Sequence, residues 1–342
     1  MWQIFQKMKR FLLIIMVLFC CLSASAQFRQ KMETAIKAVD EKMTDMYYKA
    51  DYDTAYIGRP DYKWTLALRS FFDWTDFYIH AKDNEAEFSS KLRTEFNPSI
   101  SLYGGYLGFG AGFSKSLNWI QGKQDSDWDF TFSSYGGKFG FEFAMRDIHS
   151  LGGNFKYNDN DGLNFNVNLP EDFVSQIALD FNCYYAINHK KFSYPAAFSY
   201  SYIQKRSAGS LLVGGYINLN ITALGDSISG TEIMRITNGT LGLGIGYAYN
   251  LVLPHNWLIH LSALPYLVLY GATQTLIGGE YKLESEAEFP ESYIIGRSAV
   301  THRFGRWFFG ATGHVVYYNT KCDVIRTNSL QWEVIGYLGV ML

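Results

Sequence analysis

Alternation of apolar and polar residues with a period of two dominates the chain from residue 62 to the C-terminus. This period is expected of β-strands that face an apolar medium on one side and water on the other. A clear example runs over 174–188, and another surrounds Phe141, where aromatic residues alternate with Lys138 and Glu142. A soluble sheet would hide such an aromatic face. The pattern therefore favours a barrel with lipid outside and a wet interior.

Most of the alternating segments have about the 9 to 11 residues with which a tilted strand crosses a bilayer, or slightly more. Long polar connections over 81–96, 148–172, 222–234, 272–290 and 319–329 are predicted to be extracellular loops. The order of long and short connections falls out of phase across 187–208, where 192–202 also reads as a strand, so one strand is missing or over-counted. A single-chain bacterial barrel has an even number of strands, which predicts an all-β, antiparallel transmembrane β-barrel of about 12 strands, with about 14 as the alternative.

Residues 28–48 carry a different pattern, with apolar positions recurring at spacings of four and three, which predicts a short amphipathic helix. These positions are Met32, Ile36, Val39, Met43 and Met46. The helix would lie in the periplasm against the barrel or an unidentified envelope partner; a plug in the lumen and a helix lying on the membrane surface are the alternatives.

The first residues have the order of a secretory signal: basic residues at 7–10, an apolar run over 11–22, and small residues over 23–26. The apolar run is too short for a membrane-spanning helix, which needs roughly 20 residues. We expect cleavage after Ala26. The predicted organisation is then a signal peptide (1–26), a periplasmic amphipathic helix with a linker (27–60), and an outer-membrane β-barrel (61–342).

Charge argues against nucleic acid as a partner. Without the first 26 residues, 27 Lys and Arg stand against 32 Asp and Glu, a net charge of about −5. The expected partners are outer-membrane lipid and, during biogenesis, the barrel-assembly machinery. Cys183 and Cys322 remain in a compartment where a disulfide could form, and the sequence leaves open whether they pair.

Catalytic and metal-binding patterns are weak. His260 and Ser262 share one face of a strand, but their backbones lie about 7 Å apart, too far for an ideal contact without help from a neighbouring strand. The sequence contains no Gly-x-Ser-x-Gly motif and no His-x-x-x-His pair. We therefore assign no catalytic residue, no metal site and no cofactor.

Polar residues on the face opposite the aromatic one are the candidate ligand-binding positions, because they would line a pore or fill it as an ion-pair network. They are Lys63, Arg69, Lys138, Glu142, Arg146, Asp180, Asn182, Asn218 and Asn220. Charged side chains can largely fill the lumen of a barrel of about 12 strands, so a closed or narrow barrel is favoured over an open porin.

Four stretches carry a resemblance to a known family: Asn188–Tyr194, Gln204–Ser210, Asp53–Ile57 before Trp64, and Phe96–Pro98 before a glycine-rich hairpin. In these stretches the chain resembles the domain-of-unknown-function 4421 family of Bacteroidetes. The resemblance covers roughly residues 50–342 and implies an exported outer-membrane barrel, with no catalytic residue to carry over.

The sequence thus predicts a non-enzymatic envelope, binding or narrow-channel protein. Two alternatives stay open. One is a lipid-hydrolysing outer-membrane barrel enzyme, and the other is a periplasmic lipid-binding β-barrel whose aromatic faces point inward.

Overall fold

The computed structural model describes residues 26–49, 51–82, 86–94, 97–121, 127–160, 162, 164–226, 231–277, 281–286, 291–322 and 325–342. The predicted signal peptide up to residue 25 lies outside the described residues. The described residues 26–49 belong to one unit, and the described residues from 51 onward form a second, compact unit.

The first unit contributes one helix, α1 (Ala26–Tyr48), where the spacing of apolar residues predicts it. Val39, on the predicted apolar stripe, is more than half exposed. Among the described residues, no helix is both long and apolar enough to cross a bilayer.

The second unit consists of β-strands with one short helix, α2 (Pro195–Phe198). The strands are β1 (Ile57–Gly58), β2 (Trp64–Lys82), β3 (Ala86–Thr94), β4 (Ser99–Tyr106), β5 (Phe109–Ser116), β6 (Trp128–Tyr135), β7 (Phe139–Asp159), β8 (Asn164–Ala186), β9 (Ile203–Gln204), β10 (Ala208–Asp226), β11 (Thr231–Leu253), β12 (Trp257–Ile277), β13 (Tyr281–Glu286), β14 (Ser292–Phe304), β15 (Trp307–Cys322) and β16 (Ile325–Met341).

Among the described residues, 12 antiparallel strands close into a ring in the order β2-β4-β5-β6-β7-β8-β10-β11-β12-β14-β15-β16, and β16 pairs with β2. This confirms the predicted strand number and excludes the alternative of 14. Closure leaves no strand edge in the ring unpaired, as a sheet that spans a membrane requires. β3 pairs with Asp76–Lys82 of β2 and with Leu151–Asp159 of β7, and β13 pairs with Ala272–Ile277 of β12.

One end of the ring, here called the turn end, holds the tight connections and both ends of the barrel chain. Trp64 and Leu342 exchange backbone hydrogen bonds there. Gly108 and Gly305 have positive φ in tight turns at this end, a conformation that glycine adopts without steric strain. The other end is called the loop end.

The outer face of the ring is apolar and exposed between two aromatic belts. Leu243, Ile245 and Leu261 are between 56% and 68% exposed on this face. Trp64 and Trp74 lie ten positions apart on β2, and Trp74 stacks on Trp332 of β16. Ten residues match the length with which a tilted strand crosses a membrane, and aromatic belts mark its two interfaces. The membrane-crossing part of β2 is therefore Trp64–Trp74.

Two sequence predictions are wrong. The segment 192–202 is not a strand: it belongs to a buried connection that includes α2, and removing it from the count makes successive connections alternate between the two ends of the barrel. The predicted long loops are partly strand, because β2, β7, β8, β11 and β12 continue into them and β3 and β13 lie within them. These extensions lie beyond the aromatic belt at the loop end.

Candidate functional site

The connection between β8 and β10, residues 187–207, fills the bore at the turn end and is called the plug. Tyr200 stacks on Phe308 of β15 with ring centroids 3.9 Å apart and also contacts Tyr337 of β16. On the other side of the bore, Tyr194 lies 4.5 Å from Tyr184 of β8. The plug therefore spans the ring and contacts strands on opposite sides.

The base of the plug is tied to the linker that precedes the barrel. β9 of the plug pairs with β1 of the linker, and the backbone N–H of Asp53 donates to the carbonyl of Lys190. Arg59 lies over the ring of Tyr202 and donates to its hydroxyl oxygen. Burial raises the pKa of Tyr202 above its ordinary value, and the Arg59 charge offsets part of this rise. The hydroxyl therefore stays neutral.

Gln204 fixes the two ends of the plug to each other and to the wall. Its Nε2 donates to the carbonyls of Lys191 and Arg206, at 2.6 and 2.9 Å. Its Oε1 accepts from the Ser193 backbone N–H at 2.8 Å and from Asn250 Nδ2 of β11 at 3.0 Å. Buried hydrogen bonds of this kind are expensive to break, because each loss leaves a polar group without water or a partner.

Above the plug lies a cavity of about 980 Å³ called the charged chamber. Phe198 and Tyr200 of the plug form part of its wall. The charged groups that line it are Arg69, Asp129, Glu142, Arg146, Asp180, Arg297, His314 and Glu333. A neighbouring cavity of about 650 Å³ adds Asp73 and Asp127.

An ion pair crosses the chamber. Arg297 of β14 donates from Nη2 to Glu142 Oε1 of β7 at 2.8 Å. In the ring, β7 and β14 are separated by four strands on one side and by six on the other. Tyr135 also donates its hydroxyl to Glu142. The pair therefore links nearly opposite walls of the barrel and narrows the bore at this level.

A second ionic group lines the β6–β8 wall. Arg146 pairs with Asp180, and its Nε lies 4.0 Å from Asp129. Asn218 donates to the second oxygen of Asp180. Each carboxylate here faces a cation or a donor, as burial of charge in a protein requires.

The third group lies on the first and last strands. Glu333 of β16 stands directly opposite Asp73 of β2 and His314 of β15 in the strand register. His314 Nε2 is buried without a hydrogen-bond partner among the described residues. Two carboxylates and an imidazole are thus brought together, yet the described part of the chain contains no group of three His, Cys, Asp or Glu residues able to hold a metal ion.

At the loop end, apolar side chains pack against one another within the extended part of the barrel, and they are here called the loop-end cluster. Its buried members are Phe77, Ile79, Leu92, Leu151, Leu169, Val174, Leu224 and Ile236, from β2, β3, β7, β8, β10 and β11. Tyr318 of β15 packs against them. The charged chamber thus lies between an aromatic plug and an apolar cluster.

A chain of hydrogen bonds in the wall next to the plug joins His260, Ser262 and Asn250. His260 Nε2 lies 3.1 Å from Ser262 Oγ, and Nδ1 lies 2.7 Å from Asn250 Oδ1. The sequence analysis expected no ideal contact between His260 and Ser262 without help from a neighbouring strand, and Asn250 of the neighbouring strand β11 supplies a hydrogen bond that orients the His260 ring. His260 and Ser262 both point inward on β12 and their rotamers converge although their backbones are two residues apart.

The residues predicted to face the lumen do not all line the same cavity. Arg69, Glu142, Arg146, Asp180 and Asn182 line the charged chamber together. Asn218 and Asn220 line an adjoining cavity of about 600 Å³.

Lys63 and Lys138 lie at the turn end and outside these cavities. Lys63 precedes β2, and its carbonyl accepts from the N–H of Leu107. Lys138 is exposed in the β6–β7 turn, with Nζ 5.5 Å from the centre of the Tyr185 ring. Both lie at the start of an alternating segment, where the alternation of apolar and polar residues does not determine whether a side chain points into the lumen or outward.

Sequence reasoning missed Arg297, Asp129, Glu333 and His314 as members of the chamber. The period-two pattern contained a usable signal, since Arg297, His314 and Glu333 each occupy an inward position of their strand. Cys183 is a free thiol on β8.

Comparison with solved structures finds other barrels at low identity. The outer membrane protease OmpT from Escherichia coli overlaps with a TM-score of 0.46 and 9% identity, covering 83% of this chain and 97% of that chain. The translocator domain of the autotransporter NalP from Neisseria meningitidis gives 0.31 and 12%, covering 92% and 97%. This overlap is too loose to carry over any residue or activity. Among curated proteins, none matches the chain.

The model of one protein family, described as Domain of unknown function (DUF4421), matches residues 51–339. The match includes the linker, the plug and all but the last residues of the ring. It also includes the stretches at 53–57, 188–194 and 204–210, which the structure brings together at the base of the plug. The chain belongs to the DUF4421 family.

Proposed function

We propose that the protein is an outer-membrane β-barrel with a closed bore, which acts in envelope structure or binding and not as an open porin. The observation that carries this proposal is the plug, whose aromatic side chains contact strands on opposite sides of the ring. The Glu142–Arg297 pair and the loop-end cluster add two further obstacles. An open porin needs a continuous aqueous path between its ends.

An outer-membrane location is supported by the number and the surface of the strands. An even-numbered ring, short turns at one end, and an exposed apolar band between aromatic belts are features of such barrels. In this location the turn end faces the periplasm. Cleavage after Ala26 would leave α1 there, free to contact an envelope partner.

The alternative of a periplasmic lipid-binding barrel gains no support from the side-chain distribution. Its ligand would need an apolar interior, whereas the central chamber is lined by arginines and carboxylates. The apolar side chains of the central strands are exposed on the outside instead. In the proposed function, the charged chamber is the place for a small polar ligand.

The test uses the full chain, purified from fractionated membranes. We expect recovery in the outer-membrane fraction and a change of gel mobility on boiling. In planar bilayers the wild-type protein should show no steady channel conductance. Recovery as a soluble periplasmic protein would contradict the location, and steady channels in the wild type would contradict the closed bore.

A variant tests whether the plug is the barrier. Replacing residues 194–202 by glycine and serine removes the aromatic side chains from the bore and keeps the chain length. This variant should admit small sugars faster than the wild type in a liposome-swelling assay. The control is the pair Lys190→Ala and Lys191→Ala, exposed at the plug base. Equal rates for the wild type and the glycine-serine variant would contradict the role of the plug.

A further inference from the structure

The hydrogen bonds around Asn250 determine which tautomer the neutral His260 ring adopts. Asn250 Nδ2 donates to the carbonyl of Ser193 at 2.7 Å, and a carbonyl can only accept. The other amide atom, Oδ1, is therefore the one that faces His260 Nδ1 and must accept its proton. The neutral imidazole then has its lone pair on Nε2, directed at the hydroxyl of Ser262.

This arrangement has the three parts of an activated nucleophile. Ser262 is a hydroxyl within hydrogen-bond distance of a base, His260 is the base, and Asn250 orients it from the neighbouring strand. The three residues are almost completely buried, with exposed fractions of 3%, 1% and 0%. What buries them is the plug, since Tyr194 and Phe198 lie 5.1 and 4.9 Å from the His260 ring.

Phe198 packs between the candidate base and a cation. Its ring contacts the His260 ring, and the Arg297 guanidinium carbon lies 5.9 Å from the centre of the Phe198 ring. A carbonyl in place of this ring would lie between the base and a cation able to stabilise negative charge on its oxygen.

A small pocket adjoins the same place. Leu264, the next inward residue after Ser262 on β12, lines it together with Tyr184, Tyr266 and Ile295, and Glu142 and Arg297 line its other part. Tyr194 of the plug also lines it. The apolar part of this lining suits a short acyl chain of a carboxylic ester.

We propose that Ser262, His260 and Asn250 form a latent ester-hydrolysing site that the plug covers and that its displacement exposes. The inference rests on the plug of the proposed function being able to move.

The reaction balances with an ester and water. Ser262 Oγ attacks the carbonyl carbon and its proton passes to His260 Nε2. Breaking the ester C–O bond releases the alcohol, which takes that proton and leaves an acyl group on Ser262. Water then attacks the acyl carbon in the same way and releases a carboxylic acid, restoring Ser262.

The experiment uncovers the site in the full chain and probes it with an alkyl fluorophosphonate. Tyr194→Ala with Phe198→Ala removes the cover, and Phe198→Ala alone is the milder variant. The pair Lys190→Ala and Lys191→Ala is the matched control, because it changes exposed side chains of the plug and leaves Tyr194 and Phe198 in place. Gel mobility with and without boiling verifies folding, and mass spectrometry locates the modified residue.

We expect modification of Ser262 in the uncovered variants at least about tenfold faster than in the wild type or in the control with Lys190→Ala and Lys191→Ala. Adding His260→Gln should slow it by roughly 100-fold or more, the usual contribution of a general base. The uncovered variants should also hydrolyse p-nitrophenyl butyrate, and Ser262→Ala should abolish this activity.

Two results would overturn the inference. One is a folded, uncovered variant whose Ser262 does not react, and the other is a reaction at Ser262 that does not depend on His260. Either would leave the three residues as an anchor for the plug. Conductance and sugar uptake test the closed bore separately, so failure of this site and failure of the proposed function are distinguishable.

Discussion

Replacing Arg297 by methionine tests the contact that links opposite walls of the barrel. Methionine keeps an unbranched side chain of similar reach but cannot pair with Glu142. The Arg297 and Glu142 side chains are only 11% and 25% exposed, so Glu142 would remain enclosed with its charge uncompensated. Removing one partner of such a buried pair costs about 3 to 5 kcal/mol. We expect a loss near the lower end of this range, because Tyr135 still donates to Glu142.

The assay is equilibrium unfolding in detergent, followed by tryptophan fluorescence and by gel mobility without boiling. Glu142→Leu alone should also destabilise the barrel, because it strands the Arg297 guanidinium. The double variant should recover most of the loss, since two apolar groups can replace a buried pair at little net change. Purely additive losses, or a loss below about 1 kcal/mol for Arg297→Met, would refute a direct cross-bore pair.

Three further outcomes follow from the placement of other side chains. Phe143 lies on the outer face midway between the aromatic belts, so Phe143→Arg should lower the free energy of unfolding by about 2 to 4 kcal/mol. Phe139→Arg, at the turn-end belt, should lower it by only about 0 to 1 kcal/mol. Equal losses in unfolding titrations would contradict the depths assigned to these two residues in the membrane. Tyr200→Ala should make the plug more accessible to added protease in detergent while the ring stays intact, because it removes the stacking on Phe308; unchanged cleavage would contradict its anchoring role. Burial acts to raise the pKa of Asp76, but the hydrogen bonds from Arg93 and Trp74 and the nearby positive charge outweigh burial, and the pKa lies below its ordinary value. The pair therefore adds to the free energy of unfolding at neutral pH, and this contribution is lost as the pH falls through the lowered pKa of Asp76. Both side chains are a third or more exposed, so Asp76→Asn should lower the free energy of unfolding by less than about 1 kcal/mol at pH 7. In acid the substitution should have no effect.

The ring itself could be predicted from the sequence because lipid and water impose a strict period of two on each strand. The same period misled over 192–202, where aromatic residues alternate with serines although the segment fills the bore. Periodicity reports which residues share a face, and it does not report whether that face meets lipid or a second layer of protein. Pro195 followed by two alanines was the local sign against a strand.

The chamber could be predicted only in part. Glu142 and Arg146 lie on a strand whose outer face is plainly aromatic, so their inward direction follows from the pattern. Their partners depend on how the ring closes: Arg297 is 155 positions from Glu142 along the chain. The contact between His260 and Ser262 depends on side-chain rotamers and on Asn250 of the adjacent strand, which backbone spacing does not reveal.

The position of the plug between β8 and β10 has a consequence for the order of assembly. Tyr200 packs on Phe308 of β15 and on Tyr337 of β16, two strands that follow the plug in the chain. The plug therefore cannot complete its contacts until the C-terminal hairpin has arrived, and β16 completes the ring by pairing with β2. Seating of the plug and closure of the wall are thus expected to occur as one late cooperative event. Before it, the nascent chain is an open curved sheet with plug aromatics still lacking their final partners.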